Sequence, residues 1–229
     1  MDVARAVILH TAYLLAAVTF ILGLRDLSSP RTARRGMFLA EIGMLAAVIG
    51  TLLHQDIVTY EWIIVGLVLG SAIGVPMAFW IPMTAVPQRT ALSQAFGALA
   101  VALVGVAHYS EAYVLGHHTL PGFERAVLGF EVILGSLTFT GCLIAAGKLQ
   151  GTLPGAPITY KGQNFINLAA FFGAFALLVM CILSPGTSSA FYAMCGVGLA
   201  LGILFVLPIG GADMPVVISL LNSYAGLSA

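Results

Sequence analysis

Long apolar runs recur along this chain at nearly even intervals, and they decide what it can become. They cover residues 4–24, 36–54, 60–80, 88–108, 123–146, 164–184 and 190–208. A bilayer core of about 30 Å is crossed by about 20 apolar residues in helical form. Each run therefore reads as one complete span. An eighth begins near Asp213 and is still apolar at Ala229; from Pro215 it has 15 residues, too few to cross unless more chain follows. The expected fold is all-α, a polytopic transmembrane helix bundle of seven complete spans plus a partial eighth. Residues 1–229 form one transmembrane domain.

The connections support this division. They are short and rich in turn residues: Ser28-Ser29-Pro30, Val86-Pro87, Leu153-Pro154-Gly155 and Ser184-Pro185-Gly186. None has room for a soluble domain. With 8% charged residues against about 25% in a soluble domain, the chain cannot clothe a water-facing surface, so its solvent is lipid. The formal net charge is zero and no basic stretch suits nucleic acid, which is excluded as a partner. Cys142, Cys181 and Cys195 sit in apolar runs without metal-ligand spacing and read as packing residues. The first run lacks a small-residue cleavage site and reads as a retained span, not a signal peptide.

Orientation follows from the positive residues. Arg25, Arg31, Arg34, Arg35, Arg89, Lys148 and Lys161 flank odd-numbered connections, whereas Arg5 and Arg125 fall on the other side. Seven of nine on one face puts the odd-numbered connections in the cytoplasm and the N-terminus outside. The segment 210–215 then faces the cytoplasm. No internal repeat of the inverted-repeat transporter kind is found. Gly66, Gly70 and Gly74 in the third span, and Gly198 and Gly202 in the seventh, have the four-residue spacing that lets two helix backbones approach closely.

Polar groups inside spans are the candidate site, because a charge at the helix centre costs about 2.5–3.5 kcal/mol on insertion scales. In the fifth span, Glu124, Glu131, Gly135, Thr138 and Cys142 share one helical face. Glu131 is the deeper acid, where burial favours the protonated form, and it suits a proton relay or a structural hydrogen bond. In the fourth, Thr90, Gln94 and Gly97 share a face, and Gln94 can order water or bond a facing helix. His10 lies inside the first span, Glu41 can snorkel toward Arg34 or Arg35, and His54, His108, His117 and His118 fall at outer ends. In the eighth, Ser219, Asn222 and Gly226 form a stripe with Ser223 beside it. A buried Asn222 needs partners or water. Asp213 precedes Met214-Pro215, where a helix N-terminus favours an anion and a proline loses no donor. The glycines Gly210 and Gly211 make the approach pliable.

At these residues the chain resembles a known family. Gly-Gly-Ala-Asp-Met-Pro-Val-Val-Ile-Ser-Leu-Leu-Asn-Ser-Tyr at 210–224 is similar to the signature of the beta subunit of proton-translocating NAD(P) transhydrogenase. Gly-Ser-Leu-Thr-Phe-Thr-Gly at 135–141 with Gly147-Lys148-Leu149 agrees. So do Met83-Thr84-Ala85-Val86-Pro87-Gln88 and Gly23-Leu24-Arg25-Asp26-Leu27-Ser28 with Arg34-Arg35-Gly36. The resemblance implies a membrane domain that couples proton movement to hydride exchange between NAD(H) and NADP(H) in soluble domains. It implies an inner (plasma) membrane location, an alpha-type partner subunit, a separate NADP(H)-binding domain and a dimeric assembly. The family's last spans and NADP(H) domain are not in this sequence. No Gly-rich dinucleotide loop occurs, so this segment is expected to bind no cofactor itself.

Position by position, Asn222 matches a residue implicated in the family's proton path, and Asp213 an acid facing the NADP(H) domain. Gln94 stands where some members have histidine and Cys142 where others have serine, so the proton needs water, another acid such as Glu131, or a partner's side chain. The expected path runs between the fourth, fifth and eighth spans. Asn222 orders water midway, Gln94 and Glu131 flank it, Ser219 and Thr138 add hydroxyls, and 210–215 acts as the gate. The rival readings are a secondary transporter or channel with its own substrate, a structural anchor, and a haem-binding bundle.

Overall fold

The computed structural model describes residues 3–53, 60–80, 82–116, 120–184 and 186–228. His54, His117 and His118 lie outside the described residues. Among the described residues every regular element is helical. The helices are α1 (Val3–Leu27), α2 (Ala33–Leu52), α3 (Glu61–Trp80), α4 (Val86–Tyr109), α5 (Gly122–Gln150), α6 (Gln163–Leu183), α7 (Ser188–Val206) and α8 (Met214–Ser228). The first seven are long and apolar enough to cross a membrane. The bundle reading therefore holds, and the chain is a multi-pass membrane protein.

Two helices outrun their apolar runs. α4 passes into a π-turn over Ser110–Val114, where the Leu115 N–H reaches the Ser110 carbonyl at 2.9 Å. α5 continues to Gln150 and stops at Gly151, whose φ of 78° is the left-handed conformation that terminates helices and suits glycine. Pro87 in the first turn of α4 and Pro215 in that of α8 sit where a helix has no N–H to lose.

The chain divides into two compact units, residues 1–74 and 75–229. In the first, α1 and α2 pack along their lengths. Gly23 lies against Gly36 and Ala40, Gly43 against Ala16 and Thr19, and Gly50 against Ala12 and Tyr13. The chain thus doubles back through 28–32. Gly36, Gly43 and Gly50 are buried at seven-residue spacing and let the backbones touch: a Cβ on Gly36 would lie 2.7 Å from the Gly23 carbonyl oxygen. Arg35 pairs with Asp26 at 3.5 Å, the one ion pair among the described residues, so the Glu41 pairing anticipated above is not made. On α3, Gly66, Gly70 and Gly74 meet no atom within 4 Å, so the close contact their spacing suggests is not formed there.

The second unit is built around α5, which packs against α4, α6, α7 and α8. Small residues make this possible, because Gly129, Gly135, Ser136, Gly141, Cys142, Ala145 and Ala146 are all buried and let neighbours approach from several sides. α4 turns an alanine stripe toward the core, with Ala91, Ala95, Ala98, Ala102 and Gly105 buried. Gly135 of α5 sits in that stripe, its added Cβ only 3.0 Å from the Ala102 nitrogen. α7 uses the glycine face read from its sequence: Gly198 meets Ser136 and Ile133, and Gly202 abuts Leu137, Thr140 and Gly141. One apolar cluster joins Leu137, Leu201, Val206, Met214, Ile218 and Leu221 near the start of α8. A second joins Tyr109, Leu128, Val132, Leu178, Phe191 and Met194 at the opposite end of α5.

Candidate functional site

The segment between α7 and α8 is held by two other parts of the chain. α7 ends at Val206, a short 3-10 turn spans Gly211–Asp213, and α8 follows. The Lys148 ammonium, on the last turn of α5, donates to the carbonyls of Leu207 at 2.5 Å and Ile209 at 2.7 Å. Lys148 is only 4% exposed. A buried cation at a helix C-terminus is stabilised by the carbonyl ends it satisfies, which accounts for a lysine in so apolar a place. The connection from α5 to α6 lies on the same segment: Ile158 N–H donates to Leu207 O at 3.1 Å and Gly211 N–H to Gly155 O at 2.8 Å. Leu207 O thus accepts twice. The Gln88 side-chain amide of α4 donates to Leu149 O at 2.6 Å and brings α4 to the same end. Asp213 is exposed, its carboxylate lying toward Gly210, and among the described residues its side chain makes no cap bond to the first turn of α8.

The polar face of α5 points at α4. Glu131 is half-buried with its carboxyl group beside Gly105, and His108 is within its electrostatic reach. Cys142 is fully buried, its Sγ 4.0 Å from Gln94 Oε1, so Gln94 and the α5 stripe meet across the α4–α5 seam. Thr138 is 0% exposed and its hydroxyl has no hydrogen-bond partner among the described residues. A sealed hydroxyl without a partner forfeits about 1–3 kcal/mol of desolvation. Along one seam the order is therefore Glu131, Gly135, Thr138, Cys142, running toward Lys148.

α8 packs on both α4 and α5. Its buried side is apolar through Met214, Val217, Ile218 and Leu221, with Ser228 buried at its far end. Ser219, Asn222 and Ser223 are exposed on the outer side, and Ser219 and Ser223 line an open groove with Pro215, Val216 and Leu220. So the fourth, fifth and eighth helices do come together, as the sequence suggested. Gln94 is brought to the α5 stripe, whereas Asn222 and Ser219 are turned away from it. Among the described residues no three His, Cys, Asp or Glu side chains converge as a metal site requires.

Sequence reasoning missed Lys148, which was read as a positive residue marking one membrane face. Its number of residues from the end of the fifth run was the available signal: Lys148 still lies within the continuous helix that ends at Gln150. It also missed Gln88 and the backbone of 155–158, whose partners are distant main-chain atoms that side-chain patterns do not reveal.

Comparison with known proteins decides the family. The model of the NAD(P) transhydrogenase beta subunit family matches residues 9–229. This chain belongs to that family. Two relatives named NAD(P) transhydrogenase subunit beta, both from Rhodospirillum rubrum, are each 39% identical over 221 residues, covering 95% of this chain and 47% of the relative. The chain thus spans about half the length of the beta-subunit relatives it matches. The beta-subunit assignment does not favour a transporter or channel with its own substrate. It accords with a bundle whose polar seam lies between packed helices and whose one tightly held interhelical segment leads into α8.

Proposed function

We propose that this chain is the membrane proton-translocating part of an NAD(P) transhydrogenase, coupling proton passage to hydride transfer between NAD(H) and NADP(H) in soluble domains. The observation that carries the reading is the segment 207–213, tied at once to α5 by Lys148 and to the α5–α6 connection, and continuous with α8. A change at this end is felt directly by the helices bearing Gln94, Glu131, Thr138 and Asn222. Coupling needs contacts that differ between two states. Here those contacts are the hydrogen bonds to Leu207, Ile209 and Gly155.

The proton passes by way of water and polar side chains along the α4–α5 seam, with Glu131 and Gln94 as its groups. Ser219 and Asn222, on the outer side of α8 and away from that seam, form a second polar stretch of the path, covered by a further helix from the remaining length typical of the family or from an alpha-type subunit. A polar stripe facing hydrocarbon alone is costly, which supports such a covering helix. Asp213 is exposed at the end of the 3-10 turn, where an NADP(H)-binding domain rests on it. The excess of positive residues supports cytoplasmic placement of that end in the inner membrane, with the N-terminus outside. The assembly is a dimer.

Asn222→Leu tests the reading in the full enzyme. Proton-linked hydride exchange is expected to be lost, with proton-independent exchange in the soluble domains retained. Unchanged proton pumping in vesicles would reject the role of Asn222.

A further inference from the structure

The end of α5 opposite Lys148 holds a second polar arrangement, independent of the proposed coupling. Arg125 lies in the first turn of α5 and donates from one terminal nitrogen to Ile182 O, in the last turn of α6, at 2.6 Å. This is a cation at a helix C-terminus, a favoured place. Its Nε–H, however, is buried and has no acceptor among the described residues. The Tyr113 hydroxyl, in the π-turn after α4, is likewise buried and without a partner among the described residues.

Both side chains line the same small cavity, walled also by Tyr109, Phe191, Cys181 and Met194. Tyr109 is stacked on Phe191 with ring centroids 3.8 Å apart, which closes one wall with flat aromatic surface. The cavity leaves about 10 Å³ for the centre of a water-sized sphere. One water molecule requires roughly 10–15 Å³ by that measure and two to four polar partners. An empty cavity is expected only where the walls are wholly apolar. Guanidinium Nε–H can only donate, while the phenol can donate or accept, so one oxygen that does both satisfies the two groups together.

We propose that a single structural water occupies this cavity, accepting a hydrogen bond from Arg125 Nε–H and sharing another with the Tyr113 hydroxyl. The water joins the π-turn to the start of α5, and through Arg125 to the end of α6. Three helical elements are thereby fixed at the end of the unit remote from 207–213.

Radiolytic hydroxyl-radical footprinting of the full-length protein in native membranes tests this, because a bound water is activated in place and oxidises its nearest neighbours. Met194 is 0% exposed and lines the cavity; Met214 is also 0% exposed but does not, and serves as the internal control. Met194 is expected to oxidise well above Met214. In Tyr113→Phe, which removes one partner and leaves the ring, Met194 oxidation is expected to fall to the Met214 level. Equal oxidation of the two methionines in the unaltered protein overturns the proposal. So does undiminished Met194 oxidation in the phenylalanine variant.

Discussion

At the scale of single residues, space and unmet hydrogen bonds carry the sharpest consequences. A Cβ on Gly202 would collide with Leu137 O, Thr140 Oγ1 and the Gly141 nitrogen. Gly202→Ala is therefore expected to cost about 1–3 kcal/mol by forcing α5 and α7 apart. Gly196, on the same helix, meets nothing within 4 Å, and Gly196→Ala is expected to leave the thermal midpoint unchanged or raised. Thermal unfolding of the two variants in one detergent makes the comparison. Thr138→Val removes a hydroxyl with no partner among the described residues and nearly keeps the shape, so the thermal midpoint should hold or rise. Proton-linked exchange should fall in the valine variant and recover in Thr138→Ser. A lower midpoint for valine would reveal a partner for the hydroxyl. The face shared by Glu131, Thr138 and Cys142 could be read from spacing alone, because 3.6-residue periodicity survives any packing. Its orientation toward Gln94 could not, since the mate of a face is a tertiary fact. The outward turn of Asn222 was hidden for the same reason: α8 carries apolar residues all round, and only contact chooses between its sides.

Among the elements, α5 and the segment after α7 bear the weight. Hydropathy does not set α5 apart from the other spans, so nothing in that measure marks it as central. The mark lies in side-chain size, for Gly129, Gly135, Gly141, Ala145 and Ala146 leave it thin on several sides. The stripes of Ala91, Ala95, Ala98 and Ala102 on α4 and of Gly36, Gly43 and Gly50 on α2 carry the same signal. The glycines of α3, the most regular in spacing, meet nothing within 4 Å. Small residues therefore permit close approach without compelling it. Lys148→Met is expected to loosen 207–213, since Ile209 O loses its donor and Leu207 O keeps only Ile158 N–H. A cysteine at the exposed Ala212 position reports this. Its labelling by a membrane-impermeant maleimide should be faster with Lys148→Met than with Lys148 intact. An equal rate would mean that Lys148 does not hold the segment.

For the whole molecule, the bilayer did most of the specifying. A thickness of about 30 Å sets the length of every span, so their number and rough limits were legible in the sequence. The division at residue 74 was not, because it falls inside α3, within an unbroken apolar run. A Cβ on Gly36 would press first on Gly23 and Leu27, whereas one on Gly202 would press first on residues of α5. Without shared partners, Gly36→Val and Gly202→Ala should add in the double variant to within about 0.5 kcal/mol. Unfolding of both single variants and the double variant measures the sum, and a clear excess or deficit would reveal coupling between the two sites. One oxygen atom, that of Leu207, has a larger consequence. Because the lysine at the foot of α5 and the strap leading to α6 both hang from it, a shift of either pulls on the anchor of the other. A load resting on the strap would then reach the floor of the bundle and α8 together, with no need for the load to touch either helix.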